Sequence, residues 1–147
     1  MVNIRIMKID DYLSVYKLWS LTSGMGLNNI DDSQQGIARM LERNPTLSFV
    51  AEDKDHVVGV IIAGEDGRRG YLYHTAVHQD YRNRSIGKVL VKNVLDEMKK
   101  LKITKVGLFI FQNNDIGNGF WENMGFCVRD DLYYRDLALI ELQRIDT

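Results

Sequence analysis

The sequence predicts an α/β chain of about seven strands and four helices, and three observations carry that expectation. Short apolar runs rich in β-branched and aromatic residues alternate with stretches whose apolar positions recur at helical spacing. From Gly87 onward, Leu90, Val91, Val94, Leu95, Met98 and Leu101 share one face, while Lys92, Asp96, Glu97 and Lys100 fall opposite. The 147 residues can bury one core without disulfides or a structural metal, and no linker or low-complexity tract divides them, so residues 1–147 read as a single domain.

Ile4 and Ile6 alternate with polar neighbours as a first strand, and Asp10 or Asp11 offers an N-cap for a helix carrying Tyr12, Val15 and Trp19. Ser23 to Gln35 is loop-like. A second helix, with Ile37, Met40 and Leu41 inward, stops at Asn44 and Pro45. Leu47 to Glu52 and Val57 to Ala63 flank the charged turn DKDH and read as a hairpin; Gly64 to Gly70 is the next turn, and Tyr71 to Val77 a fourth strand. The long helix begins near Ile86, and Lys99, Lys100 and Lys102 complement the negative end of its dipole. Lys105 to Phe111 follows as a strand, Ile116 to Met124 as a short helix, and Phe126 to Val128 with Tyr133 to Leu142 as a terminal strand pair. The order is β-α-α-β-β-β-α-β-α-β-β.

Apolar residues make up 45% and charged residues 27% of the chain, and the net charge is −1. That balance supplies no broad field for nucleic acid or an anionic membrane, so neither partner is expected and any phosphate binding should be local. Cys127 is the only cysteine, which rules out an intrachain disulfide and the Cys/His spacings of zinc sites; a metal-free, cytoplasmic protein is the expectation. The N-terminus alternates apolar and polar residues, unlike a signal peptide, and no apolar run approaches transmembrane length.

Tyr81 to Val91 reads YRNRSIGKVLV. Between a strand ending at Val77 and a helix starting near Ile86, this loop brings unpaired backbone N–H groups to a helix N-terminus, where Arg82, Arg84 and Lys88 can reach phosphate oxygens. The P-loop and GxGxxG patterns are both missing, so the residues alone leave a phosphate cradle and a solvated turn as alternatives.

Ala76 to Val91 resembles the acyl-CoA signature of the GNAT acetyltransferase superfamily, a strand ending in Val followed by Arg/Gln-x-x-Gly-x-Gly/Ala, here Arg82-Asn83-Arg84-Ser85-Ile86-Gly87. A second family segment, Asn-x-x-Ala-x-x-x-Tyr followed closely by Gly-Phe, aligns with NDIGNGFWENMGF, Asn114 to Phe126. The resemblance covers essentially the whole chain. It implies a single-domain GNAT fold with a mixed, mostly antiparallel twisted sheet, and an enzyme that moves acetyl from acetyl-CoA to a primary amine by direct attack in a ternary complex. The acceptor would be a small-molecule or protein amine, and the terminal strands would be able to pair between subunits of a homodimer. The alternative is a non-catalytic acyl-CoA-binding module.

Carried over by residue, the resemblance implies that Thr75, Ala76 and Val77 offer backbone hydrogen bonds to the pantetheine arm, and that Arg82, Asn83, Arg84, Ser85, Ile86, Gly87 and Lys88 hold the pyrophosphate. Asn114, Gly117 and Trp121 would meet the cofactor from the next helix. Two positions depart from the pattern. Ser85 replaces a glycine; a helical φ is expected there, with the hydroxyl free to cap the helix or reach a phosphate. Trp121 replaces the tyrosine that protonates the departing sulfur, and it either contacts the cofactor or packs with Phe120 and Phe126. An indole is no acid, but a thiolate with a reference pKa of about 8.5 needs little help at neutral pH, and water, Tyr133 or Tyr134 can supply the proton.

An alkylamine, with a pKa near 10.4, needs a proton acceptor. Strand alternation puts Tyr71, Tyr73 and Thr75 in phase with Val77 and turns His74 toward the long helix, away from the reaction. The catalytic candidates are therefore Tyr73 as a water-orienting group, Glu65 in the turn that also holds Asp66, and Tyr134. His78 is expected to support the loop. The acceptor is expected over the loop between the first two helices, where Asn28, Asn29, Asp31 and Asp32 can select an amine, with helix capping as the competing role for Asp32.

Overall fold

The computed structural model describes residues 1–145. Its five strands, β1 (Asn3–Ile6), β2 (Phe49–Asp53), β3 (His56–Glu65), β4 (Gly70–Val77) and β5 (Val106–Leu108), lie in the sheet in sequence order. The first three pairings are antiparallel and β4–β5 is parallel, so the sheet is mixed and mostly antiparallel. Four helices accompany it: α1 (Tyr12–Ser20), α2 (Gln34–Arg43), α3 (Ile86–Lys100) and α4 (Asp115–Asn123). The parallel pairing is possible because α3 provides the crossover from β4 to β5.

Each face of the sheet has its own core. On one, Leu90, Val91, Val94 and Met98 of α3 pack on Phe49, Ala51, Ile61 and Leu72, with Phe120 and Trp121 of α4 at the margin. On the other, Val15, Leu18 and Trp19 of α1 and Ile37 of α2 cover Val50, Val60, Ile62 and Ala76. Burying alternate strand residues on opposite faces is what the pleat requires, and it accounts for the nearly continuous burial of β3.

An irregularity in β4 redirects the second half of that strand. Val60 pairs with Ala76 and Ile62 with Tyr73, so Ile61 alone faces the span occupied by His74 and Thr75, a β-bulge. His74 takes the left-handed backbone conformation, with φ of 39°. The extra residue reverses the alternation: Leu72 belongs to the α3-side core, whereas Ala76, four residues on, belongs to the α1-side core.

The N-terminal elements are locked by charge. Asp11 closes a 3-10 turn over Ile9–Asp11 ahead of α1 instead of capping that helix through its side chain, and both its carboxylate oxygens accept from the Arg5 guanidinium at 2.9 and 2.8 Å. Arg5 also reaches Glu52 across the sheet at 3.1 Å. These hydrogen bonds hold the Asp11 carboxyl below its ordinary pKa.

The terminal strand pair expected over Phe126–Val128 and Tyr133–Leu142 is absent, and this leaves five strands among the described residues instead of seven. The apolar residues of that segment, including Val128, Leu132, Leu137 and Leu139, are exposed. β-propensity marks side chains suited to a pleated, half-buried surface and cannot supply the partner strand. The chain instead returns at its end to the α1–α2 loop, where Ile145 N–H donates to Leu27 O and Asn29 N–H to Gln143 O.

Candidate functional site

β4 and β5 are hydrogen-bonded only over Gly70–Val106, Tyr71–Gly107 and Leu72–Leu108. Past these pairs they are no longer bonded, and a cleft of about 940 Å³ opens between Tyr73–Val77 of β4 and Phe109–Phe111, which continue β5. One strand edge is therefore left without a strand partner over the very residues that line a cleft. The loop from Thr22 to Gly26 borders it, as do residues of the β4–α3 loop, the start of α3 and the inner side of α4.

The β4–α3 loop is bent by two left-handed residues, Asn83 with φ of 63° and Ser85 with φ of 64°. The helical φ expected for Ser85 is thus corrected. Its side chain makes no capping bond either, and the position carries the conformation that glycine adopts without a steric cost. The first helical bond of α3 is Val89 N–H to Ser85 O at 3.0 Å, so the N–H groups of Ile86, Gly87 and Lys88 precede the ladder and face the end of the cleft where the helix dipole is positive. A Cβ on Gly87 would lie 3.2 Å from the Phe120 ring, which explains the glycine by packing of α3 on α4.

Of the cofactor candidates, Thr75, Ala76, Val77, Arg82, Asn83, Ser85, Ile86, Gly87, Lys88, Asn114, Gly117 and Trp121 all line the cleft. Arg84 does not; its guanidinium sits over the Tyr81 ring, 4.9 Å from the centroid. Arg82 lines the cleft with its Nε donating to Val77 O at 3.1 Å, so part of its hydrogen-bonding capacity is committed to the strand end. His78 supports the loop as expected, accepting from Asp80 N–H at Nδ1.

Asn114 is the N-cap of α4, its Oδ1 accepting from Gly117 N–H at 2.9 Å. Trp121 shows the packing that one of its sequence readings expected. It packs edge-on against Phe120 and Phe126, with ring centroids 4.9 and 5.2 Å away, and still borders the cleft. Gly119 lines the same cleft, and a Cβ there would meet nothing within 4 Å.

The catalytic candidates separate. Tyr73 lines the cleft and is 40% exposed; partial desolvation, with Tyr71 and Tyr134 nearby, raises its phenol pKa, so the phenol keeps its proton at neutral pH. Tyr134 is not among the residues that line the cleft; its ring is 4.5 Å from that of Phe109, which is. Glu65 is not brought to the cleft: its Oε1 accepts from Gly67 N–H at 3.0 Å in the β3–β4 turn. Asp66 in the same turn accepts from Arg68 and Arg69 N–H, which lowers its pKa.

The bulge overturns the expected orientation of His74. Strict alternation would aim it at α3, but it lies on the α1–α2 side, where Nε2 is 2.7 Å from Oδ1 of Asp32 and the ring packs edge-on against Trp19. His74 also lines the cleft. Asp32 in turn does not cap α2; Ser33 does, with Oγ accepting from Gly36 N–H at 3.0 Å. No signal in the sequence marks a one-residue bulge, since it adds no distinctive residue type.

A family model, Acetyltransferase (GNAT) family, matches residues 12–126. The chain is 32% identical over 142 residues to Acetyltransferase SG1711 of Sodalis glossinidius, covering 97% of this chain and 99% of that protein. It is 31% identical over 125 residues to Acetyltransferase ECA0875 of Pectobacterium atrosepticum, covering 85% and 87%. Its fold is shared with the PaiA N-acetyltransferase of Thermoplasma acidophilum, solved in complex with coenzyme A, at a TM-score of 0.76 and 21% identity over 88% of this chain and 92% of that one. The splayed strands, the loop at the start of α3 and the match from α1 to the end of α4 thus agree, and this chain belongs to the GNAT acetyltransferase family.

Proposed function

We propose that the protein moves an acetyl group from acetyl-CoA to a primary amine, both held together in the cleft. The observation that carries this reading is the unpaired edge of β4 beside the free N–H groups at the start of α3. The first is a backbone template for an amide-bearing arm, and the second an anion site. Coenzyme A has both parts, and the cleft residues fit it: two left-handed loop residues wrap the anion site, Lys88 adds charge, and the open space over Gly119 admits a chain that a side chain there would obstruct. When bound, acetyl-CoA supplies an activated acyl carbon with a good leaving group.

The protein's own groups do the rest. The β4 edge from Thr75 to Val77 holds the pantetheine amides, and a backbone N–H near Val77 donates to the carbonyl oxygen as charge develops on it. Tyr73, whose phenol keeps its proton at neutral pH, donates toward the departing sulfur or orders a water beside it. The amine enters past the Thr22–Gly26 loop. The same reading extends to a homodimer in which a second copy covers the exposed apolar residues of 128–142; a monomer at micromolar concentration in sedimentation would overturn that extension.

Calorimetry with acetyl-CoA, followed by thiol release across a panel of primary amines, tests the proposal. Binding with amine-dependent release is expected. Binding without any release supports an acyl-CoA-binding module instead, and no binding removes both readings. Among the described residues, no helix is long and apolar enough to cross a membrane, and no group of three or more His, Cys, Asp or Glu is placed to hold a metal ion.

A further inference from the structure

We infer that His74 is the general base of this site and that Asp32 is its positioning residue, an inference that rests on the acetyl-transfer reading above. The carboxylate of Asp32 is only 4% exposed, and each oxygen has a partner: Oδ1 faces His74 Nε2 at 2.7 Å, and Oδ2 accepts from Asn28 N–H at 2.8 Å. Its backbone is held as well, by Tyr12 Oη donating to Asp32 O at 2.6 Å. A buried carboxylate fixed at both oxygens presents one orientation to the imidazole. It requires a donor there, so the neutral ring carries its hydrogen on Nε2 and its lone pair on Nδ1.

Nδ1 makes no hydrogen bond among the described residues, and His74 lines the cleft that Thr22 to Gly26 also border. Trp19 fixes the other degrees of freedom. Its ring packs edge-on against the imidazole at 5.2 Å, and its Nε1 donates to the backbone carbonyl of His74 at 3.1 Å. The left-handed φ of 39° at His74 is a cost that ordinary strand continuation would avoid, and the bulge that imposes it is what turns the ring from the α3 side to Asp32 on the α1–α2 side. A base held by a buried carboxylate, on a residue that lines the cleft, follows the logic of nucleophile activation by an oriented imidazole.

In the step, a bond forms between the amine nitrogen and the acetyl carbon while the bond from that carbon to sulfur breaks. The ammonium form of the amine first gives one proton to Nδ1, and the imidazolium returns it to solvent; the neutral nitrogen then attacks, its second proton passes to solvent, and the thiolate takes a proton from solvent or from Tyr73, which solvent reprotonates. The products are the amide and the free thiol, with charge and protons balanced.

The test compares wild type with His74→Asn, chosen because asparagine tolerates the left-handed backbone, and with Asp32→Asn. Acetyl-CoA binding is measured by calorimetry, and thiol release is measured with ethanolamine and with hydroxylamine, which is already neutral at pH 7. Expected are unchanged acetyl-CoA affinity, a fall of about 10²-fold or more in kcat with ethanolamine for His74→Asn, and a fall of less than about tenfold with hydroxylamine. Asp32→Asn should show the same selective loss, smaller in size. Equal losses with both nucleophiles, or no loss with either, overturn the assignment, as does a wild type that binds acetyl-CoA but releases no thiol with either. Failure of the wild type to bind acetyl-CoA would instead remove the cofactor reading beneath it.

Discussion

Asn114 and Gly117 are coupled through one short contact: the Asn114 side chain caps α4 by accepting the Gly117 N–H at 2.9 Å, and it leaves no room for a side chain on that glycine. A Cβ on Gly117 would lie 2.8 Å from Asn114 Nδ2 and 2.7 Å from Ile110 Cδ1. The glycine is there for close approach of the β5 extension, even though alanine is the usual family residue. Gly119, two residues on, has open space where its Cβ would be.

The two positions should therefore respond oppositely to the same substitution. Alanine is the better helix former by about 1 kcal/mol, so Gly119→Ala should raise the melting temperature by a few degrees. Gly117→Ala should lower it, because the cap and Ile110 must shift. Thermal unfolding of the two variants checks this, and a gain at both sites would contradict the contact.

Ser85→Gly should stabilise the protein by about 0.5–1 kcal/mol. The serine holds φ of 64° and makes no capping bond, so glycine relieves a steric cost at the loss of no hydrogen bond and with only a modest increase in unfolded-state freedom. Denaturant titration measures it. A loss of about 1 kcal/mol, the typical cost of removing a helix cap, would mean that the hydroxyl caps α3 after all.

Charge reversal separates Arg84 of the loop from Lys88 of α3. Lys88 lines the cleft at the start of α3, so Lys88→Glu should weaken acetyl-CoA binding about tenfold or more, the scale of one charge-assisted contact. Arg84 stacks over Tyr81 outside the cleft, and Arg84→Glu should change binding less than about threefold. Calorimetry with acetyl-CoA reads both, and equal losses would return Arg84 to the proposed phosphate-binding residues.

The Arg5–Asp11 pair predicts a pH dependence with a definite sign. Asp11 is held below its ordinary pKa, chiefly by the Arg5 hydrogen bonds, so its contribution is present in full above the unfolded-state value of about 4 and is lost as pH falls through the lower folded value. Asp11→Asn should cost about 1–2 kcal/mol at pH 7, and the gap from wild type should close as pH drops below about 4. Urea unfolding at pH 7 and near pH 3 tests it; a gap of constant size would show that the carboxylate charge contributes nothing.

Much of the chain is legible in the sequence because the signals are local. The apolar face of α3 from Leu90 to Met98 has only one helical reading, and the β2–β3 hairpin and the stop of α2 before Pro45 follow from residues adjacent in the chain. The loop proposed to hold phosphate is legible for the same reason: YRNRSIGK, a strand before it and a helix after it are contiguous, and Thr75, Lys88, Asn114 and Trp121 all line one cleft.

What the sequence alone determines about this protein is the element order, the helical face of α3 and the family to which its two motifs belong. Tertiary structure decides which side of the sheet a residue serves. Strict alternation aims His74 at α3, and one unpaired residue in β4 turns it to Asp32, 42 positions away in the chain. Tertiary structure decides likewise that Arg84 covers Tyr81, that Glu65 closes its own turn, and that Val128 to Leu142 form no strand within this chain. The physical reason is common to all of these. Periodicity reports a preference that a residue carries with it, whereas register, bulges and strand partners depend on groups far away in the chain, and pairing with those groups is settled only when the sheet closes.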